Sequence, residues 1–142
     1  MYSVTISESI MIAHSLRGEI FGPAQRLHGA TFVVEVELTR RALDENEIVA
    51  DMDRAAELLS EVLAPLTYRN LDDLPEFDGR NTTSEYLAFY IFERYRDGIR
   101  DGRLGGDTRD TLEGMTVTLR ETPTAWASYS GSLRPDAASE ST

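Results

Sequence analysis

The run Thr31-Phe32-Val33-Val34-Glu35-Val36-Glu37-Leu38 is rich in β-branched and aromatic residues, and Glu35 and Glu37 alternate with apolar neighbours. That period of two marks a strand with one buried face. A second alternation precedes it, with Tyr2, Val4, Ile6, Ile10, Ile12 and His14 at even positions between Met1 and His14. The segment Ser15 to Leu27 carries Gly18, Gly22 and Pro23 and reads as a polar loop. Two half-buried strands joined in this way form an antiparallel hairpin, and its apolar side requires a cover.

Helices farther along supply that cover. After a charged connector from Arg40 to Glu47, Asp51 or Asp53 can cap a helix running to about Leu63. Ala55, Leu58, Leu59, Val62 and Leu63 recur on one face, and Pro65 stops the helix. Thr67 to Arg80 reads as a loop. A second helix starts at Thr82 or Thr83, runs through Leu87, Ala88, Tyr90, Ile91 and Tyr95, and is expected to fray near Gly98. Arg100 to Gly106 is polar and Gly-rich. Met115 to Leu119 and Ala125 to Tyr129 then alternate as two more strands. The order ββααββ predicts an α+β domain, an antiparallel four-stranded sheet with two helices on one face. Oligomerisation is the expected cover for the other face. One domain over 1–131 is expected, with small polar residues from Ser130 onward reading as disordered and a tail over 132–142.

Composition narrows the function. A net charge of −11 over 142 residues repels nucleic-acid phosphates and anionic membrane surfaces, so neither is an expected partner. No apolar run reaches the roughly 18 residues of a membrane span, and no signal-peptide pattern opens the chain. With no cysteine there is neither a disulfide nor a thiolate nucleophile, and the cytoplasm is the default compartment.

The chain has two histidines, in Ile12-Ala13-His14-Ser15-Leu16 and in Arg26-Leu27-His28-Gly29-Ala30-Thr31-Phe32. By themselves they suit ordinary hydrogen-bonded strand histidines. Taken with Thr83-Ser84-Glu85 and Arg120-Glu121-Thr122, and in that order along the chain, they resemble the 6-pyruvoyl-tetrahydropterin synthase and 6-carboxytetrahydropterin synthase family. The resemblance spans about residues 2 to 131 and implies the tunnelling (T-) fold. Trimers of the ββααββ unit close a barrel there, and two trimers stack into a hexamer with active sites between subunits.

The resemblance also implies roles. In the family three histidines bind zinc and leave one coordination position open, the arrangement of a catalytic zinc site. His14 and His28 match two of those ligands, and the third falls on Ala30. The family's cysteine falls on Ala24, and its Asp-His pair falls on Thr67 and Tyr68. Tyr68 could then act as a general acid or base, or simply pack its ring, and Glu19 could replace the missing base. Glu121 matches the carboxylate that grips the paired N–H donors of a pterin ring. Thr83, Ser84 and Glu85 match the second ring contact, although Glu85 also suits a capping box. Arg17 and Arg26 could hold a triphosphate or carboxylate. The implied activity is lyase chemistry at the C6 side chain of a 7,8-dihydropterin such as dihydroneopterin triphosphate, with His28, Tyr68 and Glu19 as its catalytic candidates. The alternative is a pterin- or purine-like ligand-binding protein without lyase activity, or a new reaction in the old ring pocket.

Overall fold

The computed structural model describes residues 1–135. Strands β1 (Tyr2–His14) and β2 (His28–Arg40) form the expected antiparallel hairpin, followed by α1 (Met52–Leu63), α2 (Ser84–Arg100), β3 (Leu112–Thr122) and β4 (Ala125–Ser132). The sheet order is β1-β2-β3-β4 with every neighbouring pair antiparallel. This is the α+β architecture read from the sequence.

Local chemistry explains the helix starts. The Asp51 carboxylate accepts from the N–H groups of Asp53 (2.9 Å) and Arg54 (3.1 Å), satisfying two donors that the first turn of α1 leaves free. Thr83 does the same for α2 through the Tyr86 N–H (3.2 Å). Ala55, Leu58, Leu59 and Leu63 of α1, with Leu87, Ala88, Ile91, Phe92, Tyr95 and Ile99 of α2, are buried. They meet Phe32, Val34, Val36, Leu38, Met115, Val117 and Leu119 of the sheet. Between the helices, the Tyr95 hydroxyl donates to the Ala55 carbonyl (2.9 Å).

Several boundaries differ from the sequence reading. Helix α2 does not fray at Gly98 but continues to Arg100. Gly98 is the contact point with α1, where a Cβ would lie 2.5 Å from the Leu58 Cδ1. The glycine there admits a neighbouring helix. A four-residue helical turn, Thr108–Thr111, precedes β3, and the loop after β1 contains 3-10 turns over Glu19–Gln25. The residues from Ser130 to Ser132 belong to β4. Beyond them the Leu133 N–H donates to the Glu113 carbonyl (2.8 Å), and the Arg134 guanidinium donates to the carbonyls of Leu112 (2.8 Å), Arg109 (2.6 Å) and Asp110. The chain therefore stays ordered past the expected start of the tail, because Arg134 caps carbonyls at the entry to β3. The rest of that expected tail, 136–142, lies outside the described residues.

The sheet face away from the helices is not apolar. Thr5, Ser7, Thr31, Glu35, Glu37, Thr116, Thr118, Arg120, Ser128 and Ser130 lie on it, out of register with the buried positions. Met11, Val33 and Trp126 share this face and are exposed in the protomer, so it is mixed rather than purely polar. What stays open are the strand edges. Residues 67–70 run beside part of the β1 edge: the Tyr68 N–H donates to the Met11 carbonyl (2.6 Å), and the Ala13 N–H donates to the Arg69 carbonyl (3.0 Å). The edge from Ser3 to Ser9 has no such neighbour among the described residues.

Candidate active site

The site grows from the open end of the β1–β2 hairpin. His14 and His28 are the last paired positions of its ladder, directly opposite one another. Facing residues on one side of a sheet touch, and the two imidazoles meet with ring centroids 4.6 Å apart. His14 is 3% exposed and its Nδ1 lies 2.9 Å from the Thr82 hydroxyl. His28 is half-buried, and its Nδ1 lies 2.8 Å from the Arg26 carbonyl oxygen. A carbonyl only accepts, so His28 Nδ1 carries a proton and donates in this contact.

Burial lowers the His14 pKa below its ordinary value, and the neighbouring His28 lowers it further. Thr82 and the charges of Asp72 and Glu121 act in the opposite direction. His14 is therefore biased toward its neutral form.

The segment Thr82-Thr83-Ser84, leading into α2, links the imidazoles to a carboxylate. Thr82 holds His14, Thr83 caps the helix, and the Ser84 hydroxyl donates to Glu121 Oε1 (2.9 Å) at the end of β3. Glu121 Oε2 accepts nothing among the described residues. Asp72 accepts from the Ser15 N–H (3.2 Å) and hydroxyl (2.6 Å), tying the exit of β1 to the loop after α1. Asn81 and Arg17 exchange two further bonds (2.8 and 2.9 Å). Between these segments lies a cleft of about 230 Å³ whose walls include Ser15, Arg17, Asp72, Arg80 and Thr82.

The family description "6-pyruvoyl tetrahydropterin synthase" matches residues 3–132, nearly the whole described chain. The chain belongs to this family. A 6-pyruvoyl tetrahydrobiopterin synthase of Dictyostelium discoideum is 28% identical over 85 residues, covering 58% of this chain and 63% of that protein, less than two-thirds of its length. Among solved structures, the 6-pyruvoyl tetrahydropterin synthase of Caenorhabditis elegans superposes with a TM-score of 0.74 at 26% identity, covering 92% of this chain and 95% of that one. The Plasmodium vivax 6-pyruvoyl tetrahydropterin synthase gives 0.72 at 18% identity, covering 92% and 98%, a likeness of fold.

Within this family member the structure gathers some of the sequence candidates and leaves others apart. His14, His28, Ser84 and Glu121 lie in one polar cluster, joined by Thr82. Thr83 is beside it, but its hydroxyl already accepts from Tyr86. Glu85 is exposed in the second position of α2, so the capping-box position three residues after the cap belongs to Tyr86 instead. Glu19 and Arg26 are exposed; of Arg26 only the backbone carbonyl enters the cluster. Tyr68 is 81% exposed with φ at 61°, a left-handed backbone uncommon for a bulky residue. No hydrogen bond or ring contact joins it to either histidine in the protomer.

Thr82 and Asp72 were not legible as site residues. Thr82 adjoins a recognisable motif, but Asp72 falls within the stretch Thr67 to Arg80 that reads as a loop, and its partner Ser15 is 57 residues away.

The donor set decides whether the family's zinc fits. A catalytic zinc takes three protein ligands. Among the described residues no group of three His, Cys, Asp or Glu side chains is arranged to hold a metal ion. Both Nδ1 atoms carry protein partners, the kind of outer support that orients ligating histidines. The third position, Ala30, is a methyl group packed against the core. The described residues do not make the three-donor site.

Proposed function

We propose that the chain binds a 7,8-dihydropterin of the dihydroneopterin triphosphate type and acts on its C6 side chain. The observation that carries this reading is the bond from Ser84 to Glu121. It holds one carboxylate oxygen and leaves the other free, in the same cluster as the paired imidazoles. A pterin presents a ring N–H and an exocyclic NH₂ side by side, and a fixed carboxylate accepts both. With the ring so held, the C6 side chain is directed at His14 and His28, and its anionic end at the cleft bearing Arg17 and Arg80. The His28 Nε2, with its Nδ1 already donating to the Arg26 carbonyl, is the group suited to take a proton from the side-chain carbon when the ring is neutral. The Arg26 carbonyl would then stabilise the imidazolium through Nδ1–H. Elimination or carbon–carbon cleavage at C6 is the reaction class that follows.

The open edges of β1 and β4 support assembly by strand pairing between copies, as two stacked trimers in a cytoplasmic hexamer. Tyr68, Glu19, Glu85 and Arg26, exposed in the protomer, would serve the pocket across that seam.

Calorimetric titration with dihydroneopterin triphosphate tests the reading. Glu121→Ala removes two hydrogen bonds to a charged acceptor, about 1.5–3 kcal/mol each. The dissociation constant should rise by roughly 100-fold or more. A folded variant that binds as tightly as the parent rejects the ring assignment.

A second reading has its own support. Ala24, Ala30, Thr67 and Tyr68 occupy the positions of the family's cysteine, third histidine and Asp-His pair. Those exchanges favour a ligand-binding protein that has lost lyase activity. Tight pterin binding without release of the triphosphate side chain would select it.

A further inference from the structure

The imidazole pair has a geometric near-neighbour that bears on metal binding independently of any pterin. In the β1–β2 ladder His14 faces His28, and two positions inward Ile12 faces Ala30. Alternate residues share a face, so His14, His28 and Ala30 lie on the helix side of the hairpin. Ala30 Cα is two strand residues from His28, roughly 7 Å along the strand. It is also the diagonal neighbour of His14, at roughly 7–8 Å. Three side chains on that triangle project from the same face of the hairpin. The two imidazoles already have their Nδ1 atoms held by Thr82 and Arg26, which leaves both Nε2 atoms for a ligand.

Neither nearby carboxylate joins the two imidazoles in a three-donor group among the described residues, although one oxygen of Glu121 has no partner there. Asp72 is bound to Ser15 and Glu121 to Ser84, and both act on His14 through charge alone.

We infer that the His14–His28 pair is one donor short of a metal site, does not retain zinc by itself, and becomes a stoichiometric zinc site when position 30 carries a ligand. The site is otherwise built: two oriented imidazoles on a rigid hairpin, a half-buried third corner, and a polar mouth. A third ligand turns a weak two-point contact into a chelate, with zinc–nitrogen distances of about 2.0–2.1 Å.

The test uses the untagged full chain, stripped with chelator, incubated with zinc alone and desalted. Zinc per chain is read by mass spectrometry. The wild type is expected to retain well under a tenth of an equivalent. Ala30→His should retain about one, bind zinc on the order of 100-fold more tightly, and gain thermal stability on zinc addition. Adding His14→Ala to that variant should abolish all three gains.

Ala30→Cys is the second variant. Its thiolate is smaller than an imidazole and would be the only thiol in the chain, so cobalt binding should produce a thiolate charge-transfer band that His14→Ala removes. Three results overturn the inference. One is a wild type that keeps one zinc per chain, whether unaided or through a donor lent by a second copy. The second is a folded Ala30→His that gains no zinc. The third, should Ala30→His fail to fold, is a folded Ala30→Cys without the cobalt band. None of these measurements involves a pterin, so failure here leaves the proposed function standing, and the reverse also holds.

Discussion

Replacing Gly98 by alanine sets two known effects against each other at the crossing of α1 and α2. Alanine is favoured over glycine inside a helix by about 1 kcal/mol, and on that ground alone Gly98→Ala would stabilise the protein. The new Cβ would lie 2.5 Å from Leu58 Cδ1, 2.9 Å from Cδ2 and 3.2 Å from Cγ. All three atoms belong to one buried side chain, so turning a single methyl does not relieve the clash. The isopropyl group must move as a whole, into a filled core. Overpacking of this kind costs typically 1–3 kcal/mol. The net expectation is destabilisation by about 1 kcal/mol, or roughly 2–4 °C in midpoint for a chain of this size.

A double-mutant cycle isolates the cause. Leu58→Ala alone should cost about 2–5 kcal/mol. In that background Gly98→Ala should become stabilising by about 1 kcal/mol, since the methyl enters the space that leucine has left. The coupling energy is then about 2 kcal/mol. The assay is urea unfolding at one fixed chain concentration, because the proposed assembly would make apparent stability concentration-dependent. Stabilisation by Gly98→Ala in the wild-type background, or additivity within about 0.5 kcal/mol, would refute the reasoning.

Other perturbations follow from individual contacts. Tyr95→Phe removes the buried bond to the Ala55 carbonyl and should cost about 1 kcal/mol in urea unfolding, without changing the far-ultraviolet spectrum. Thr83→Ala removes the α2 cap and should cost about 1 kcal/mol, recovered by Thr83→Asp. The hydrogen bonds from the Arg40 guanidinium hold the Asp107 carboxyl below its ordinary pKa. The stability it contributes is present above the unfolded carboxylate value near ~3.9 and is lost as pH falls through the lower folded value. Stability measured against pH should therefore fall less steeply below about pH 4 in Asp107→Asn than in the parent. Equal slopes in the two proteins would count against this pair.

The elements themselves were written locally. Alternation from Tyr2 to His14 and from Thr31 to Leu38 is a property of neighbouring residues, as are the caps at Asp51 and Thr83, and each acts wherever the chain folds. The order of those elements was enough to identify the sheet and its two helices. The resemblance of His14, His28, Thr83-Ser84-Glu85 and Glu121 to a known family pointed to the right family and to most of the polar cluster.

Less legible were features that depend on which distant atoms meet. Gly98 looks like a helix end until Leu58 is seen against it. Asp72 looks like a loop residue until Ser15 is found on it. His14 meets Thr82 across 68 residues, and Ser84 meets Glu121 across 37. No periodicity encodes such encounters, because they are set by strand register and by how closely two helices cross.

Sequence by itself determined the alternating strands, the capped helices, the family and the identity of the donors available to any ligand. Tertiary structure alone decided that two imidazoles touch and, among the described residues, that one carboxylate is held by a serine with its second oxygen unpartnered and that no third metal donor joins the imidazoles. The physical reason is that periodicity and capping act over a few neighbouring residues, whereas the contacts that build a site exist only once the sheet and helices have closed on one another.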